Sequence, residues 1–450
     1  MGKSWFTSGR ISFIKDVTSL SSKTVIGQFI GIVLMPIVTR LYVPEQFGVV
    51  SLFISIAMVI GVSSALRYDQ AVIMPKDETS ARALVFLSVA IAVVFGVLVA
   101  LVIMLLHWWR PDFMQTGVLG YWLYVLPLAC LFLGAINTLT AWCMRRKLYP
   151  SLGNSEIAVA VSSGATRIAA GVAFGSSVLW LMLSTFLGYV VQVVMLSRGA
   201  GLKGLFSGGR PNWAELTALA KTYRDFPMYS APTGLLNRLS QNLPILLMGL
   251  LFSASAVGFY ALANRLLKMP LSVVSLPLKR VYMQRVAEMC NDGRLLAGVL
   301  VRATFGVLLV GFLPFTIIAV YGPPLFGFVL GEQWTIAGVY AAAIAPWLYS
   351  AFALTPASSN YVILNRQRLW LQLQILTGTA GGLTFMVAAF LDVQEENSLR
   401  LFSAVQTVLN ILIFLIALRM TMHADARTRA GIPAKVADET APAPFGGEGG

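Results

Sequence analysis

Apolar runs about 20 residues long, the length of a helix that crosses a bilayer, succeed one another along this chain, and short segments between them hold most of the charge. Leu, Val, Ile, Phe and Ala fill the runs without the alternation of a half-buried strand, so each predicts a helix. Twelve are found, at 17–40, 47–66, 82–107, 118–142, 153–174, 176–197, 227–251, 256–277, 295–320, 334–357, 369–391 and 401–420. Hydrophobic residues make up 57% of the 450, and mean hydropathy is +0.76. A soluble core of this length cannot hide so much apolar surface. The expected fold is all-α and polytopic in the membrane.

Charge orients the helices, because Lys and Arg accumulate in cytoplasmic loops. One alternating set of connections holds Lys3, Arg10 and Lys15; Arg67, Lys76 and Arg82; Arg145, Arg146 and Lys147; and Arg198, Lys203, Arg210, Lys221 and Arg224. It continues with Lys279, Arg280, Arg285, Arg294, Arg366, Arg368, Arg419, Arg427, Arg429 and Lys435. The opposite set holds Arg40, Arg110 and Arg400 beside several acids. An even helix count with both termini cytoplasmic follows. This bias accounts for nearly all of the +14 net charge, so the charge does not argue for nucleic acid. Cys130, Cys143 and Cys290 show no ligand or disulfide spacing, and His107 and His423 lie at span ends; neither a metal site nor a cofactor is expected.

The first 16 residues set Trp5, Phe6, Ile11, Phe13 and Ile14 among Lys3, Arg10 and Lys15, the pattern of an interfacial amphipathic segment. Residues 421–450 form a cytoplasmic tail, expected to be disordered where it turns to Ala, Pro, Gly and acids from 431. Between the ends runs an internal repeat: 17–66 resembles 227–276 at an offset of 210, aligning Gly48 with Gly258, Leu52 with Leu262 and Gln28 with Arg238. Two six-helix bundles, 17–197 and 227–420, then flank a linker at 198–226. A six-span unit begins and ends on one side, so the halves are parallel, related by a pseudo-twofold axis along the membrane normal. Such halves are expected to meet at a central cleft and to work by alternating access.

Polar residues inside the runs single out three helices. The first carries Lys23; the seventh carries Asn237, Arg238, Gln241 and Asn242; the eighth carries Asn264, Arg265 and Lys268. At 1.5 Å per residue, Arg238 and Arg265 each lie roughly 15 Å from a boundary, where a cation needs water, a partner or an anionic ligand. Lys23 and Lys268 stand nearer the cytoplasmic boundary, within reach of snorkelling. The expected substrate-binding set is therefore Lys23, Asn237, Arg238, Gln241, Asn264, Arg265 and Lys268, reading as an anion site. Glu156 and Arg167 in the fifth span, and Asp69 beside Arg67, are candidates for ion coupling; the plainer reading of Glu156 and of Asp69 is a local ion pair.

The stretch RLYVPEQFGVVSLFISIAMVIGVSSALRYDQAVIMPKDE, from Arg40 to Glu78, resembles the early region of Wzx-type flippases, bacterial polysaccharide transporters of the multidrug/oligosaccharidyl-lipid/polysaccharide exporter superfamily. FYALANRLLKMPLSVVSLPLKRVYMQR, from Phe259 to Arg285, is similar to the matching part of their second half. The resemblance implies twelve helices in two bundles, a cationic central cavity, and outward movement of an undecaprenyl-diphosphate-linked glycan across the bacterial inner membrane. It also implies work beside a polysaccharide polymerase and a chain-length regulator, in contact with membrane lipid. Arg238, Arg265, Lys268 and Lys23 would hold the diphosphate. A multidrug exporter of the same superfamily would be expected to centre carboxylates instead. A glycan polymerase or ligase would need a larger external loop than 321–333, and no GxxxxGKS/T motif for ATP occurs.

Overall fold

The computed structural model describes residues 23–110, 117–201 and 211–430. The interfacial segment expected at 1–16 and the tail from 431 lie outside the described residues. Among the described residues there are helices and turns and no strands. Ten helical stretches among the described residues are long and apolar enough to cross a membrane. The two expected spans that fall short by composition are 227–251 and 256–277, the pair carrying the polar stripes.

The chain forms two compact units by contact. The first holds α1 (Lys23–Leu41), α2 (Pro44–Gly61), the short α3 (Tyr68–Ala71), α4 (Glu78–Trp109), α5 (Leu126–Arg145), α6 (Tyr149–Phe174), α7 (Val178–Ala200), α8 (Trp213–Thr222) and α9 (Ala231–Leu251). The beginning of α10 (Ala254–Asn291), up to Ala261, and the segment Val329–Trp334 belong to it as well. Pro44 opens α2, where its missing N–H would be unpaired anyway. Asp77 opens α4 by accepting from Ser80 N at 2.7 Å. Trp142, Leu84, Leu139 and Leu196 pack a core of this unit.

Glycine decides how closely two of its helices cross. A Cβ on Gly48 of α2 would overlap Ala254 O and stand 2.6 Å from that carbonyl carbon; one on Gly258 of α10 would overlap Pro44 O and stand 2.9 Å from its carbon. The repeat-related glycines thus lie against each other, backbone to backbone, as small residues allow in apolar surroundings. Nearby, Thr39 Oγ1 donates to Leu330 O at 2.9 Å, while Gln333 Nε2 and Trp334 Nε1 both donate to Thr39 O at 2.7 Å.

Polar connections are tied down by arginine. Arg145, at the end of α5, points its guanidinium into the turn before α4 and donates to Pro75 O at 2.5 Å, Asp77 O at 3.0 Å and Ile73 O at 3.3 Å. Glu78 pairs with Arg146 at 2.7 Å and Arg82 at 2.9 Å. The outer surface of α4 is apolar along its length, with Val94, Leu98, Leu101 and Leu105 exposed and Trp108 and Trp109 at its end. Such a face suits lipid, with the indoles at an interface.

The second unit contains the rest of α10, α11 (Ala297–Leu330, up to Phe328), α12 (Thr335–Ala353), α13 (Thr355–Ile363), α14 (Gln367–Phe390) and α15 (Glu395–Arg429). Tyr282, Leu300, Tyr361 and Ile413 are buried in its core. Asn360 accepts from Tyr282 Oη at 3.0 Å and donates to Thr421 Oγ1 at 3.0 Å. Asp425 caps the start of α11, accepting from Leu296 N at 2.8 Å and Ala297 N at 2.9 Å. Two expectations change here. The external loop expected at 321–333 is helix through Leu330, despite Pro323 and Pro324, and Gly322 and Gly338 let α11 and α12 pack closely beside it. Residues 421–429, assigned to the tail, continue α15, held by the Asp425 cap.

Candidate functional site

The expected cations fall into separate settings. In the first unit, Lys23 lies along α6: its stem fills the space over Gly153, and Nζ donates to Asn154 Oδ1 at 2.8 Å. Arg238, on α9, is exposed. Its neighbours on the polar stripe bond within the helix: Gln241 Nε2 donates to Asn237 Oδ1 at 3.1 Å and Asn242 Nδ2 to Arg238 O at 2.9 Å. Pro244 follows inside α9, removing a backbone donor from the turn that carries these amides.

In the second unit, Arg265 and Lys268 are both exposed although they sit within a predicted span. Three residues apart, they share a face of α10. Lys268 Nζ lies 5.4 Å from the centroid of the Trp347 ring, a cation–π contact. Asn264 Oδ1, beside them, is buried and accepts nothing among the described residues. Ion pairs among the described residues include those of Glu78 with Arg82 and Arg146, and of Arg400 with Glu396. None of these involves Arg238, Arg265 or Lys268, and no carboxylate among the described residues pairs with them.

The candidates for ion coupling are dispersed. Glu156 accepts from Gln192 Nε2 at 3.2 Å. Arg167 donates to Ser184 Oγ at 2.9 Å and to Thr185 Oγ1 at 3.4 Å, and its carbonyl accepts from Tyr42 Oη at 2.8 Å. Eleven residues apart on one helix, Glu156 and Arg167 are separated by roughly 16 Å along the axis. They do not form one site. Asp69 is buried on α3, between spans. Burial raises its carboxyl above the ordinary range, and the charge of Arg67 pulls the other way.

Two participants escape a reading of the sequence. Trp347 follows Pro346 inside an apolar run, and nothing in the run marks an aromatic that will face Lys268. Arg67 enters the sequence reading as the neighbour of Asp69, yet its guanidinium lies against Gly234 of α9. The absence of a side chain at 234, one turn before Arg238, is the available hint.

A family model described as "Polysaccharide biosynthesis protein" matches residues 37–338. Among solved structures, the chain is similar to an inward-facing multidrug resistance MATE family transporter of the MOP superfamily: TM-score 0.63 and 13% identity, covering 92% of this chain and 99% of that one. It is also similar to the lipid II flippase MurJ in an inward closed conformation, with TM-score 0.66 and 11% identity over 91% of this chain and 90% of that one. A third neighbour is a MOP superfamily transporter from Pyrococcus furiosus, whose title reports a binding pocket of reverse polarity; its TM-score is 0.53 at 12% identity, covering 92% of this chain and 96% of that one. At these identities the likeness shows the fold. No curated protein matches the sequence.

Proposed function

The chain belongs to the polysaccharide biosynthesis protein family; on that premise we propose that it is a multi-pass membrane transporter that flips undecaprenyl-diphosphate-linked oligosaccharide units across the bacterial inner membrane for polysaccharide assembly. The glycan would be an O-antigen, capsule or exopolysaccharide repeat. We read the protein as twelve spans in two bundles, 17–197 and 227–420, with cytoplasmic termini and an alternating-access cycle. Transfer to a polymerase and a chain-length regulator would follow on the outer side.

The observation that carries this reading is the state of Arg265: exposed, inside a predicted span, and paired with no carboxylate among the described residues. A cation in that position is costly unless solvated or bound to an anion. In the proposed cycle Arg238, Arg265 and Lys268 hold the diphosphate, while Asn237, Gln241 and Asn264 offer amides to the phosphates or the first sugar. Lys23 adds a further charge on its own face. The polyprenyl tail stays in lipid. At an effective dielectric near 20 one charge pair at 4 Å is worth about 4 kcal/mol before desolvation, enough for two or three cations to hold the headgroup and still release it. Glu156, Arg167 and Asp69 are kept as candidates for ion coupling, Glu156 first because its carboxylate is exposed.

The test is complementation. In a strain lacking its own flippase, Arg265→Ala and Arg238→Ala should insert normally yet export no glycan, and mass spectrometry should find polyprenyl-diphosphate sugar on the gently solubilised wild-type protein. Full export by both variants would remove the assignment. A multidrug exporter is the competing reading from the shared fold, and the uncompensated positive charge disfavours cationic drugs as substrates.

A further inference from the structure

We propose that the second unit carries a resident phospholipid, phosphatidylethanolamine, with one acyl chain in a cavity among α11, α12 and α15 and its zwitterionic headgroup on the Arg400–Glu396 pair. The lipid is independent of the cargo: it requires only that these helices lie in a bilayer.

The cavity follows from the size of the side chains around it. On α15, Arg400, Ala404 and Val408 recur every four residues, with Ser403 and Thr407 beside them, so all five share a face. Opposite stand Ala342, Ala343 and Pro346 of α12, and α11 adds Ala319. Where larger side chains would interdigitate, these leave a space of about 500 Å³. Its walls are pinned and cannot close on it. Trp347 N donates to Ser403 Oγ at 3.2 Å, and Ser350 Oγ, which donates to Trp347 O at 2.7 Å, accepts from Asn410 Nδ2 at 3.0 Å.

An unfilled space of that volume forfeits packing on every wall. Water is a poor filler, because the hydroxyls in the lining are already engaged: Ser403 Oγ accepts from Trp347 N, and Thr407 Oγ1 donates to Ser403 O at 2.7 Å. Hydrocarbon suits it. Ala319, Pro346, Ala404 and Val408 are exposed, so the cavity is open along one side. The exposed Val320 of α11 and Leu412 of α15 extend the apolar surface around that opening. Eight residues separate Arg400 from Val408, about 12 Å of helix, so a chain entering beside Arg400 runs well into the hydrocarbon layer.

Charge selects the headgroup. Arg400 lies near the end of α15 that the loop charges assign to the outer boundary; its side chain is 63% exposed and ion-paired with Glu396, one turn further out and 38% exposed. A guanidinium has five N–H donors, and a carboxylate fork uses two of them. The remaining donors suit a phosphate oxygen, and Glu396 suits an ammonium on the same headgroup. Glu395 adds a second negative charge, held by the hydroxyl of the buried Tyr340. Phosphatidylethanolamine meets both signs, whereas phosphatidylglycerol brings only a further anion to two carboxylates and one guanidinium. The lipid also bears on the cation beside α12. Pro346 is followed by Trp347, whose ring lies 5.4 Å from Lys268 Nζ, so a chain packed against the proline steadies the turn that presents the indole.

The experiment uses full-length protein extracted gently from membranes that hold both phospholipids, with retained lipid identified by native mass spectrometry. Delipidated protein is then titrated with phosphatidylethanolamine, phosphatidylglycerol or undecaprenyl phosphate while thermal unfolding is followed. Phosphatidylethanolamine should stay bound, a single molecule per chain, and raise the melting temperature by several degrees, the other two raising it less at equal mole fraction. Arg400→Gln should weaken its binding about tenfold, the loss of a charge-assisted bond. Ala404→Leu fills the cavity from its own wall and should lose the lipid while melting no lower than delipidated wild type, which separates loss of the site from loss of the fold. Lipid retained by Ala404→Leu overturns the cavity as its seat. Equal stabilisation by phosphatidylglycerol overturns the headgroup assignment, and stronger stabilisation by undecaprenyl phosphate gives the cavity to a polyprenyl tail instead. No retained phospholipid and no shift with any of the three overturns the proposal entirely.

Discussion

Substitution of Gly48 by alanine tests the closest backbone crossing in the first unit. The new methyl would overlap Ala254 O and lie 2.6 Å from its carbonyl carbon, whereas ordinary Cβ contacts begin at 3.4 Å. These are main-chain atoms, so no rotamer change relieves the overlap; α2 and the start of α10 must separate by about an ångström or more. Overpacking of this kind costs roughly 1–3 kcal/mol, and the upper part of that range is expected because the obstruction is rigid. Gly258→Ala meets Pro44 O in the same way and should cost a similar amount. The double variant is the sharper measurement. Once one methyl has forced the helices apart the second enters a gap already open, so the two losses should fall short of additivity by roughly 0.5–3 kcal/mol, as for residues in direct contact. Thermal or denaturant unfolding in one detergent supplies the cycle, and export by each variant shows whether the crossing matters in use. Wild-type stability in Gly48→Ala, or strict additivity of the pair, would refute the reasoning.

Trp347→Ala should weaken export several-fold by releasing Lys268, in keeping with a cation–π contact of roughly 0.5–2 kcal/mol, whereas Trp347→Phe should retain most of it; equal loss in both would assign the indole to packing alone. Cys130, Cys143 and Cys290 are buried, giving a quiet background for added cysteines: Ser253→Cys and Asn397→Cys should react with an impermeant reagent in intact cells, and Thr217→Cys should not. Ser398, which the charge pattern also marks as external, is buried and donates to Gln394 O at 3.0 Å, so it would make a poor probe. For Asp69, burial lifts the carboxyl above its ordinary 3.8. The folded state therefore binds the proton more tightly, and the stability this supplies at low pH is lost as pH rises from the ordinary value through the raised one. Asp69→Asn should flatten that acid-side decline in melting temperature, and an unchanged slope would place the titration elsewhere.

Hydropathy carried the fold far because bilayer physics constrains composition directly: each run in lipid must satisfy its backbone internally and present apolar side chains. Val94, Leu98 and Leu101 on the outside of α4 show that constraint at work. The two runs that scored lowest were the two holding Arg238, Arg265 and Lys268, so the same measure that finds spans also exposes departures from them. What it could not supply was adjacency. The repeat aligned Gly48 with Gly258, yet alignment says that two residues are equivalent, and only packing puts them in touch. The segment 321–333 reads as an external connection, yet α11 runs through Pro323 and Pro324 to Leu330 and packs against α12 at Gly338. Arg67 looked like the companion of Asp69 because the two are close in sequence; the left-handed backbone at 66 and 67 turns its guanidinium to a helix more than 160 residues further on.

The grasp of Arg145 on the carbonyls of residues 73–77 also sets an order in time. The loop's acceptors leave the ribosome 68 to 72 residues ahead of the arginine that satisfies them, a lag of roughly 4–14 s at translation rates of 5–20 residues per second. Throughout that interval the hairpin between the second and third spans has its local bonds, such as Ser80 N to Asp77 and Glu78 with Arg82, but not those from Arg145. The carbonyls of this hairpin therefore gain their arginine partner only once the end of α5 has been made.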